Sequence, residues 1–319
     1  MGINDDSQIK KPLAQGHKPV LLKEAVEILS PRDGLTYLDC TFGGGGHTRA
    51  ILSSADCKVV AIDRDPCAAR RAAEVKKEFG SRFEFANINF SNLDKLQTEG
   101  YAGILFDFGV SSFQLDEADR GFSFMREGPL DMRMNNSEGA TALQYIASVS
   151  EQELIRILRE YGEEPRAKRV ARAIIEARES GKISTTSDLA CAIAEAAPSH
   201  ERIHPATRAF QALRIAVNDE LGEIESALPK AFDRLSDGGV LAAISFHSLE
   251  DRIAKKFFKK MAGRPEDRFD RSSVQDRIKR AELLTRKPIC PSESEIAENP
   301  RSRSAKLRAI RKEGKDGGL

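Results

Sequence analysis

Four consecutive glycines, Gly43 to Gly46, are the first residues in the sequence with an evident binding chemistry. Glycine lets the backbone approach a ligand where any Cβ would collide, and a helix that begins after the glycines presents free N–H groups. Asp63 ends the next predicted strand, where a carboxylate can accept hydrogen bonds from both hydroxyls of a ribose. The pattern indicates a cofactor that contains adenosine. It does not match the strict dinucleotide pattern G-x-G-x-x-G, because Thr48 stands in place of the last glycine.

A second group of polar residues, from Asp107 to Gln114, follows another predicted strand. The carboxyl ends of parallel strands meet at one edge of a sheet, so we expect Asp107 and Gln114 to face the same crevice as the glycines. Both side chains can form hydrogen bonds with a cofactor. Ser111 and Ser112 have two interpretations, since a serine at this place either lines the site or caps a helix.

A third group lies at the end of a later predicted strand, where the run from Ile244 to Asp251 opens a helix. His247 either contacts the site or has a structural role. Ser248 is expected to be the N-cap of this helix, with Asp251 at its third position.

Metal binding is disfavoured by the histidines and the cysteines. His200 and His204 have the i, i+4 spacing of a helical metal site, but Pro198 and Pro205 leave little room for a helix there. The five cysteines form no CxxC pair and no ligand spacing. We therefore predict no metal site, and the odd, scattered cysteines favour a reducing cytoplasm over a disulfide scaffold.

The elements that must position these residues alternate between strands and helices over the first part of the chain. Val59 to Ile62 is a continuous apolar run, typical of a strand buried on both faces of a parallel sheet. The predicted strands of this part are Leu35–Asp39, Lys58–Ile62, Arg82–Ala86 and Gly103–Asp107, and the predicted helices are His47–Ser54 and Pro66–Phe79. This alternation predicts a doubly wound α/β sheet.

The pattern changes to helices alone between about residues 115 and 205. Apolar residues recur there at helical spacing, as in the face made by Ala167, Val170, Ala171, Ile174 and Ile175. The elements expected afterwards are a long helical stretch over about 206–235, a strand over Val240–Phe246, a loop over 263–282 and a half-exposed last strand over Ala305–Ile310. We predict a sheet domain in two parts, residues 1–114 and 207–319, with an all-helical domain at 115–206 inserted between them.

Composition and charge exclude several classes of protein. Hydrophobic residues make up 40% and charged residues 31% of the chain, which is ordinary for a globular protein. The sequence contains no run of about 18 apolar residues, so we expect no membrane span, and its polar first twelve residues predict no secretory signal. The net charge is +1, so a nucleic acid would have to be met by a local patch.

The strongest such patch is the basic segment from Arg301 to Lys312, which contains no acidic residue. Its basic residues are Arg301, Arg303, Lys306, Arg308, Arg311 and Lys312. The start of the helical insert adds Arg120, Arg126 and Arg133, and Phe122 and Phe124 are candidates to stack on a base that is splayed out of its strand.

Seven runs of residues closely resemble the bacterial ribosomal RNA small subunit methyltransferase H family: HKPVLLKEAVEIL, LDCTFGGGGHTRAIL, AIDRDP, DFGVSSFQLDEADRGFSFMREGPLDMRM, HPATRAFQALRIAVNDEL, ISFHSLEDR and ENPRSRSAKLRA. They are collinear from His17 to Arg311. The resemblance implies a Rossmann-like class I methyltransferase sheet with an inserted helical domain. It also implies transfer of a methyl group from S-adenosyl-L-methionine to N4 of a decoding-centre cytidine, position 1402, of 16S rRNA in the small ribosomal subunit.

The resemblance further implies which residues contact the cofactor. At the matching positions these are Gly45, Gly46 and His47 for the methionine end, Asp63 for the ribose, Phe90 for the adenine, and Asp107 and Gln114 to complete the pocket. Two positions depart from the family pattern, since Cys40 stands where glycine is usual and Phe113 where proline is usual. Without that proline, the backbone beside Gln114 is less restricted.

Methylation at N4 agrees with the residues available. The exocyclic nitrogen attacks the methyl carbon directly and needs alignment and an acceptor for its N–H, whereas methylation at carbon 5 would need a cysteine thiolate. We expect no cysteine near Asp107. Asp107 and Ser111 are the candidate catalytic residues, and a backbone carbonyl is a third candidate for accepting the proton.

Two alternatives belong to other classes of protein. An NAD(P)-dependent oxidoreductase would suit the β-α-β pattern and Asp63, but the missing third glycine and the second acidic loop at Asp107 disfavour it. A non-catalytic RNA-binding assembly factor would not need the intact glycines and both acids. We expect an enzyme that acts on 16S rRNA in the cytoplasm without a membrane or a metal, and the oligomeric state is left open.

Overall fold

The chain folds around one mixed β-sheet in the computed structural model, which describes residues 19–198, 203–271 and 277–314. The sheet has the strand order β3-β2-β1-β4-β5-β7-β6 in this part of the chain. The strands are β1 Thr36–Asp39, β2 Lys58–Ile62, β3 Phe83–Ala86, β4 Tyr101–Asp107, β5 Leu235–Ser245, β6 Ala281–Leu283 and β7 Lys306–Lys312. The first five are parallel, and β7 runs antiparallel to both of its neighbours.

Helices fill most of the connections between the strands. They are α1 Leu22–Leu29, α2 Gly46–Ser54, α3 Ala68–Phe79, α4 Ser112–Asp116, α5 Ala142–Ser148, α6 Glu151–Glu160, α7 Ala167–Glu179, α8 Thr186–Ala196, α9 Thr207–Asn218, α10 Glu220–Asp233, α11 Ser248–Met261 and α12 Glu293–Glu298. Short 3-10 helices lie at Gly80–Arg82, Phe90–Lys95, Ala118–Arg120 and Pro300–Ser304. Within the described ranges, none of the helices combines the length and the apolar composition needed to cross a membrane.

The sheet is buried on both faces, because successive side chains of a strand point to opposite sides. Val59 and Ala61 of β2 pack on one face with α1, α2 and α3. Val60 and Ile62 pack on the other face with α10 and α11. This packing and the parallel order of the first five strands confirm the predicted Rossmann-like α/β sheet.

The helices α5 to α9 follow β4 and build a hydrophobic core of their own, which confirms the inserted helical part. Val170 and Ile174 of α7 are fully buried in this core, as the apolar periodicity predicts. Phe210 and Leu213 of α9 belong to the same core. The domain bounds at 114/115 and 206/207 stay a prediction.

The helical stretch predicted over residues 206–235 is confirmed, and it consists of two helices. Two helices, α9 and α10, meet there at Asp219, whose φ of 48° lies in the left-handed region. Aspartate adopts this conformation more readily than most residues. Hydrophobic periodicity did not reveal the break, because a single residue turns the chain.

Among the described residues, the loop predicted over 263–282 is confirmed except at its end, and the prediction of a half-exposed last strand is wrong. The loop predicted over 263–282 contains the first residues of β6, Ala281 and Glu282. The last strand is not half-exposed, since β7 lies between β5 and β6 and its residues from Leu307 to Ile310 are buried. The alternation of apolar and basic residues misled the prediction because Arg308 is buried in an ion pair with Asp251.

Candidate active site

A cavity of about 310 Å³ opens at the carboxyl edge of the parallel strands, where the loops after β1, β2, β4 and β5 meet. Residues of α4, α9 and the segment around Asn299 complete its wall. The predicted site residues that line it are Gly46, His47, Asp63, Phe90, Asp107, Ser111 and Gln114. Gly43 and Gly44 also line the cavity, whereas Gly45 is not among the described lining residues. The topology therefore brings the first two sequence motifs to one place.

The glycine loop has the shape that its four glycines permit. Gly43 and Gly45 have φ values of +52° and +74°, which disfavour other residues. A Cβ at Gly44 would lie 2.9 Å from the ring of Phe113, and one at Gly46 would lie 2.1 Å from Pro19. The loop is thus packed from outside as well as open toward the cavity, so substitution at Gly44 or Gly46 would meet a steric clash.

Phe113, the residue that departs from the family pattern, packs on this loop. The guanidinium of Arg71 lies 4.5 Å from the centre of its ring, and Nε of Arg71 donates to the carbonyl oxygen of Gly43 at 2.7 Å. The aromatic side chain thus joins α4 to the loop.

Asp63 supports the glycine loop in addition to facing the cavity. Its Oδ2 accepts a hydrogen bond from the backbone N–H of Gly43 at 2.7 Å, and its Oδ1 accepts one from that of Asp65 at 2.8 Å. Burial raises the pKa of Asp63, and these bonds oppose the rise. Each oxygen retains a lone pair, so the carboxylate can still accept from a ligand.

Asp107 is the least satisfied acid of the cavity. Its backbone N–H donates to Oγ1 of Thr41 at 2.7 Å, which fixes the end of β4. Oδ1 is buried and has no hydrogen-bond partner among the described residues, while Oδ2 lies 3.7 Å from Nδ1 of His47. Burial, followed by the charges of Asp39 and Glu250, raises the pKa of Asp107 well above its ordinary value. A buried acceptor without a donor is costly and calls for a ligand.

His47 occupies the first turn of α2 and is 5% exposed. Its Nε2 lies 3.2 Å from the carbonyl oxygen of Val20, which holds the ring against the wall of the cavity. Phe90 lines another part of the wall and meets Phe106 edge to face at 5.6 Å. The cavity thus has a polar side near His47 and an aromatic side near Phe90.

Ser111 and Gln114 form a capping box at the start of α4, so the capping interpretation of Ser111 is confirmed. The backbone N–H of Gln114 donates to Oγ of Ser111 at 3.3 Å, and that of Ser111 donates to Oε1 of Gln114 at 3.0 Å. Nε2 of Gln114 donates to Oδ2 of Asp65 at 3.1 Å. Both residues still line the cavity, but these bonds use part of their polar capacity.

Cys40 corrects the expectation that no cysteine lies near Asp107, because both residues line this cavity. The loop after β1 brings Cys40 there. Burial, and then the charge of Asp39, raises the pKa of the Cys40 thiol well above its ordinary value. A thiol in this state is a poor nucleophile.

His247, and not Ser248, is the N-cap of α11. Glu250 is its partner at the third helical position in place of Asp251. Ser248 instead donates a hydrogen bond from Oγ to Oε1 of Glu163 at 2.9 Å. His247 is not among the described lining residues, which favours its structural interpretation.

Three basic residues of the predicted phosphate-binding segment contact the protein itself. Arg308 is buried and bonds both carboxylate oxygens of Asp251, at 2.6 and 3.2 Å. Arg301 pairs with Asp116 at 2.6 Å, and Nζ of Lys312 donates to the carbonyl oxygen of Leu235 at 2.7 Å. Arg303 and Arg311 of the segment are exposed, and Arg301 also lines the cavity, so phosphate binding by this segment stays a prediction.

The insert residues chosen for RNA contact are also occupied. Arg120 is buried and pairs with Asp65 at 2.8 Å. Phe122 is buried in the core of the helices, and the ring of Phe124 lies 4.8 Å from that of Phe210. Neither phenylalanine therefore presents a free face of the kind that base stacking requires.

Arg214 and Glu220 are site residues that sequence reasoning missed. Arg214 lines the cavity, and Glu220 bonds it through two hydrogen bonds. Together with His247 and Glu250, Glu220 brings carboxylate and imidazole ligand atoms within 4.8 Å of one another. Arg214 already supplies a cation there.

Of the predicted histidine pair, His204 accepts a hydrogen bond from the backbone N–H of Ala206, and His200 lies outside the described residues.

Comparison with known proteins identifies the family. The model of the MraW methylase family matches residues 14–313. Ribosomal RNA small subunit methyltransferase H of Gluconobacter oxydans (strain 621H) is 47% identical over 300 residues, 92% of this chain and 93% of its own length. The protein of the same name from Rickettsia massiliae (strain Mtu5) is 44% identical over 304 residues, 94% of this chain and 99% of its own.

Among solved structures, a putative methyltransferase from Streptococcus mutans in complex with SAH has a TM-score of 0.44 and 13% identity, covering 92% of this chain and 98% of its own. This likeness is too remote to bear on the site. The sequence relatives are far closer, and they extend over almost the whole chain. The protein therefore belongs to the MraW methylase family.

Proposed function

We propose that this protein transfers the methyl group of S-adenosyl-L-methionine to N4 of the cytidine at position 1402 of 16S rRNA, in the small ribosomal subunit. Family membership supports methyl transfer, and the names of the relatives support small-subunit rRNA as the substrate class. The observation that carries the proposal is the buried, unpartnered Oδ1 of Asp107 in a cavity beside the glycine loop. Such a substrate would place the reaction in the cytoplasm.

Most of the residues predicted to contact the cofactor line one cavity. In the proposal, Gly45, Gly46 and His47 hold the methionine end through the loop and the first turn of α2. Asp63 accepts from the ribose, Phe90 borders the adenine, and Gln114 closes the pocket. A cationic ligand would lower the raised pKa values of Asp63 and Asp107, because a nearby positive charge favours the ionised carboxylate.

Asp107 is proposed to act on the amino group of cytosine. The bound cofactor supplies the methyl group as an electrophilic carbon on its sulfonium. Asp107 accepts a hydrogen bond from N4 and thereby orients the lone pair of the nitrogen. Either Asp107 or Ser111 then holds the proton that N4 loses. Asp107 is the better candidate, because Oγ of Ser111 already accepts from Gln114.

Methyl transfer to purified 30S subunits that lack the modification tests the function. With tritiated cofactor, we expect one labelled nucleoside, N4-methylcytidine, at position 1402. The family match weighs against an oxidoreductase, and equilibrium binding of S-adenosylhomocysteine rather than NAD would agree. A protein that binds S-adenosylhomocysteine and 30S subunits but transfers no methyl group would instead be a non-catalytic assembly factor.

A further inference from the structure

Arg214 is a largely buried arginine in the wall of the cavity, and the proposed reaction gives it no role. It lies on α9, its side chain is 16% exposed, and it lines the same cavity as Asp107. Nε and Nη2 donate to the two carboxylate oxygens of Glu220, at 2.7 and 2.8 Å. A guanidinium has five N–H donors, so three are left. Among the described residues, Glu220 is the one acceptor for this side chain.

Arg214 lies close to the residues that follow β4 and β5. Glu220, which holds Arg214, has a carboxylate oxygen within 4.8 Å of one of Glu250, in the first turn of α11 after β5. Oε1 of Glu250 is also 3.7 Å from the position of a Cβ at Gly109, just beyond β4. Asp63, by contrast, follows β2, which is separated from β4 by β1. Arg214 therefore lies near the acid proposed to receive the base.

We propose that Arg214 recognises the target base as cytosine, an inference that rests on the proposed function. The Watson–Crick edge of cytosine presents the amino group at N4, followed by two acceptors, N3 and O2. A guanidinium with two parallel N–H groups matches these acceptors, while Asp107 accepts from N4. Uracil carries an N–H at N3, which would face a second donor and be rejected.

Glu220 holds the guanidinium of Arg214 in a fixed direction, as a residue that discriminates between bases requires. Glu220 is 5% exposed and holds the guanidinium through two bonds, so its direction is set before a base enters. A site with fixed, buried donors rejects a ligand that lacks the matching acceptors, because the donors are then left without partners. A solvated arginine would select less strongly.

The substrate itself provides the first test. We would reconstitute 30S subunits with either cytidine or 3-deazacytidine at the target position; the analogue replaces N3 by C–H and keeps the amino group. At saturating cofactor, we expect single-turnover methylation of the analogue to be roughly 10- to 100-fold slower, the scale of one bidentate base contact. Equal rates for the two substrates would overturn the inference without any change to the protein.

Arg214→Lys provides the second test, because lysine keeps a positive charge beside Glu220 but loses the planar fork. We expect this variant to be slow on cytidine and to lose little more on 3-deazacytidine. Arg208→Lys is the matched control, since Arg208 lies on the same helix, faces the buried Glu164 at 4.0 Å and is outside the described cavity lining. The control should keep the rate and the full sensitivity to the analogue.

The remaining outcomes separate this inference from the proposed function. If the effects of Arg214→Lys and 3-deazacytidine multiply independently, Arg214 contacts a phosphate or another part of the RNA, and the inference is wrong. It is also wrong if Arg214→Lys weakens binding of S-adenosylhomocysteine by the same factor as methylation, which would make Arg214 a cofactor contact. If the unaltered protein fails to methylate cytidine at all, the proposed function is what fails.

Discussion

Asp107 and Asp251 are two acidic residues near the same edge of the sheet, and they have opposite surroundings. Asp251 lies in the first turn of α11 and bonds the guanidinium of Arg308 with both carboxylate oxygens. Asp107 ends β4 with one buried oxygen that has no partner among the described residues. Asp251 has hydrogen-bond donors for both oxygens within the protein, whereas the buried oxygen of Asp107 needs a ligand to supply its donor. The comparison thus separates a residue of the scaffold from a residue of the site.

The same distinction applies to the arginines of the proposed phosphate patch and to Arg214. Arg308 forms an ion pair with Asp251 that joins β7 to α11. Arg214 donates two hydrogen bonds to Glu220, and its other N–H groups remain available beside the cavity. Sequence alone ranks a cluster of basic residues above an isolated one. In the structure, Arg214 and Arg301 both line the cavity, whereas Arg308 does not.

Loss of the Arg308–Asp251 pair should have the largest effect. Arg308→Ala leaves the buried carboxylate of Asp251 with Lys306 as its remaining cation among the described residues, at 3.8 Å from Oδ2. We therefore expect the free energy of unfolding to fall by about 3 kcal/mol, the lower end of the range for a buried charge that loses its partner. Urea denaturation, monitored by circular dichroism, measures this free energy. The matched control, Arg303→Ala, removes an exposed arginine of the same segment and should change stability by no more than about 0.5 kcal/mol. Equal, small losses for both variants would make Arg308 a surface residue that is free to bind RNA.

Asp107→Asn should have the next largest effect, on rate and not on stability. Asparagine keeps the shape but replaces one acceptor oxygen by a donor, so single-turnover methylation of 30S subunits should fall about 10²-fold or more. Saturating cofactor removes any contribution from weaker binding, and a separate cofactor titration measures that contribution. A variant as fast as the unaltered protein would leave Asp107 as a binding or packing residue.

Asp63→Ala should weaken cofactor binding by about 1.5–3 kcal/mol, because it removes a charge-assisted acceptor. Part of the loss would come from the loop, since Gly43 also loses its hydrogen bond to Asp63. Calorimetric titration with the cofactor measures the affinity, and Asp56→Ala, an exposed aspartate near the opposite end of β2, is the control. Unchanged affinity in Asp63→Ala would show that Asp63 serves the loop alone.

The sequence sufficed to predict the sheet and to bring Asp63, Asp107 and the glycine loop together. That inference needs only strand order and the rule that parallel strands end at a common edge. The burial of Arg308 depends on Asp251, which lies 57 residues away in the chain, so local alternation could not show it. Cys40 entered the cavity wall through the geometry of one turn. The resemblance to the family supplied the reaction and the substrate, which no periodicity encodes.

The smallest expected effect is the release of a proton when the cofactor binds. It tests whether Asp107 is protonated in the free protein and ionised in the complex. Burial, followed by the charges of Asp39 and Glu250, raises the pKa of Asp107 well above 3.8. The folded protein therefore holds this proton over a pH range in which the unfolded chain has lost it. It follows that Asp107 makes the free energy of unfolding decrease as the pH rises from about 3.8 toward the folded pKa.

A cationic cofactor favours the ionised carboxylate, so binding within that pH range should expel up to about one proton from Asp107 and tighten as the pH rises. Calorimetric titrations in two buffers with different ionisation enthalpies measure the number of protons released. Asp107→Asn removes the titrating group, so its release should be smaller by the contribution of Asp107. If the variant releases as many protons as the unaltered protein, the source is another acid. Asp63, whose pKa burial also raises and which lines the same cavity, would then be the acid that releases the proton.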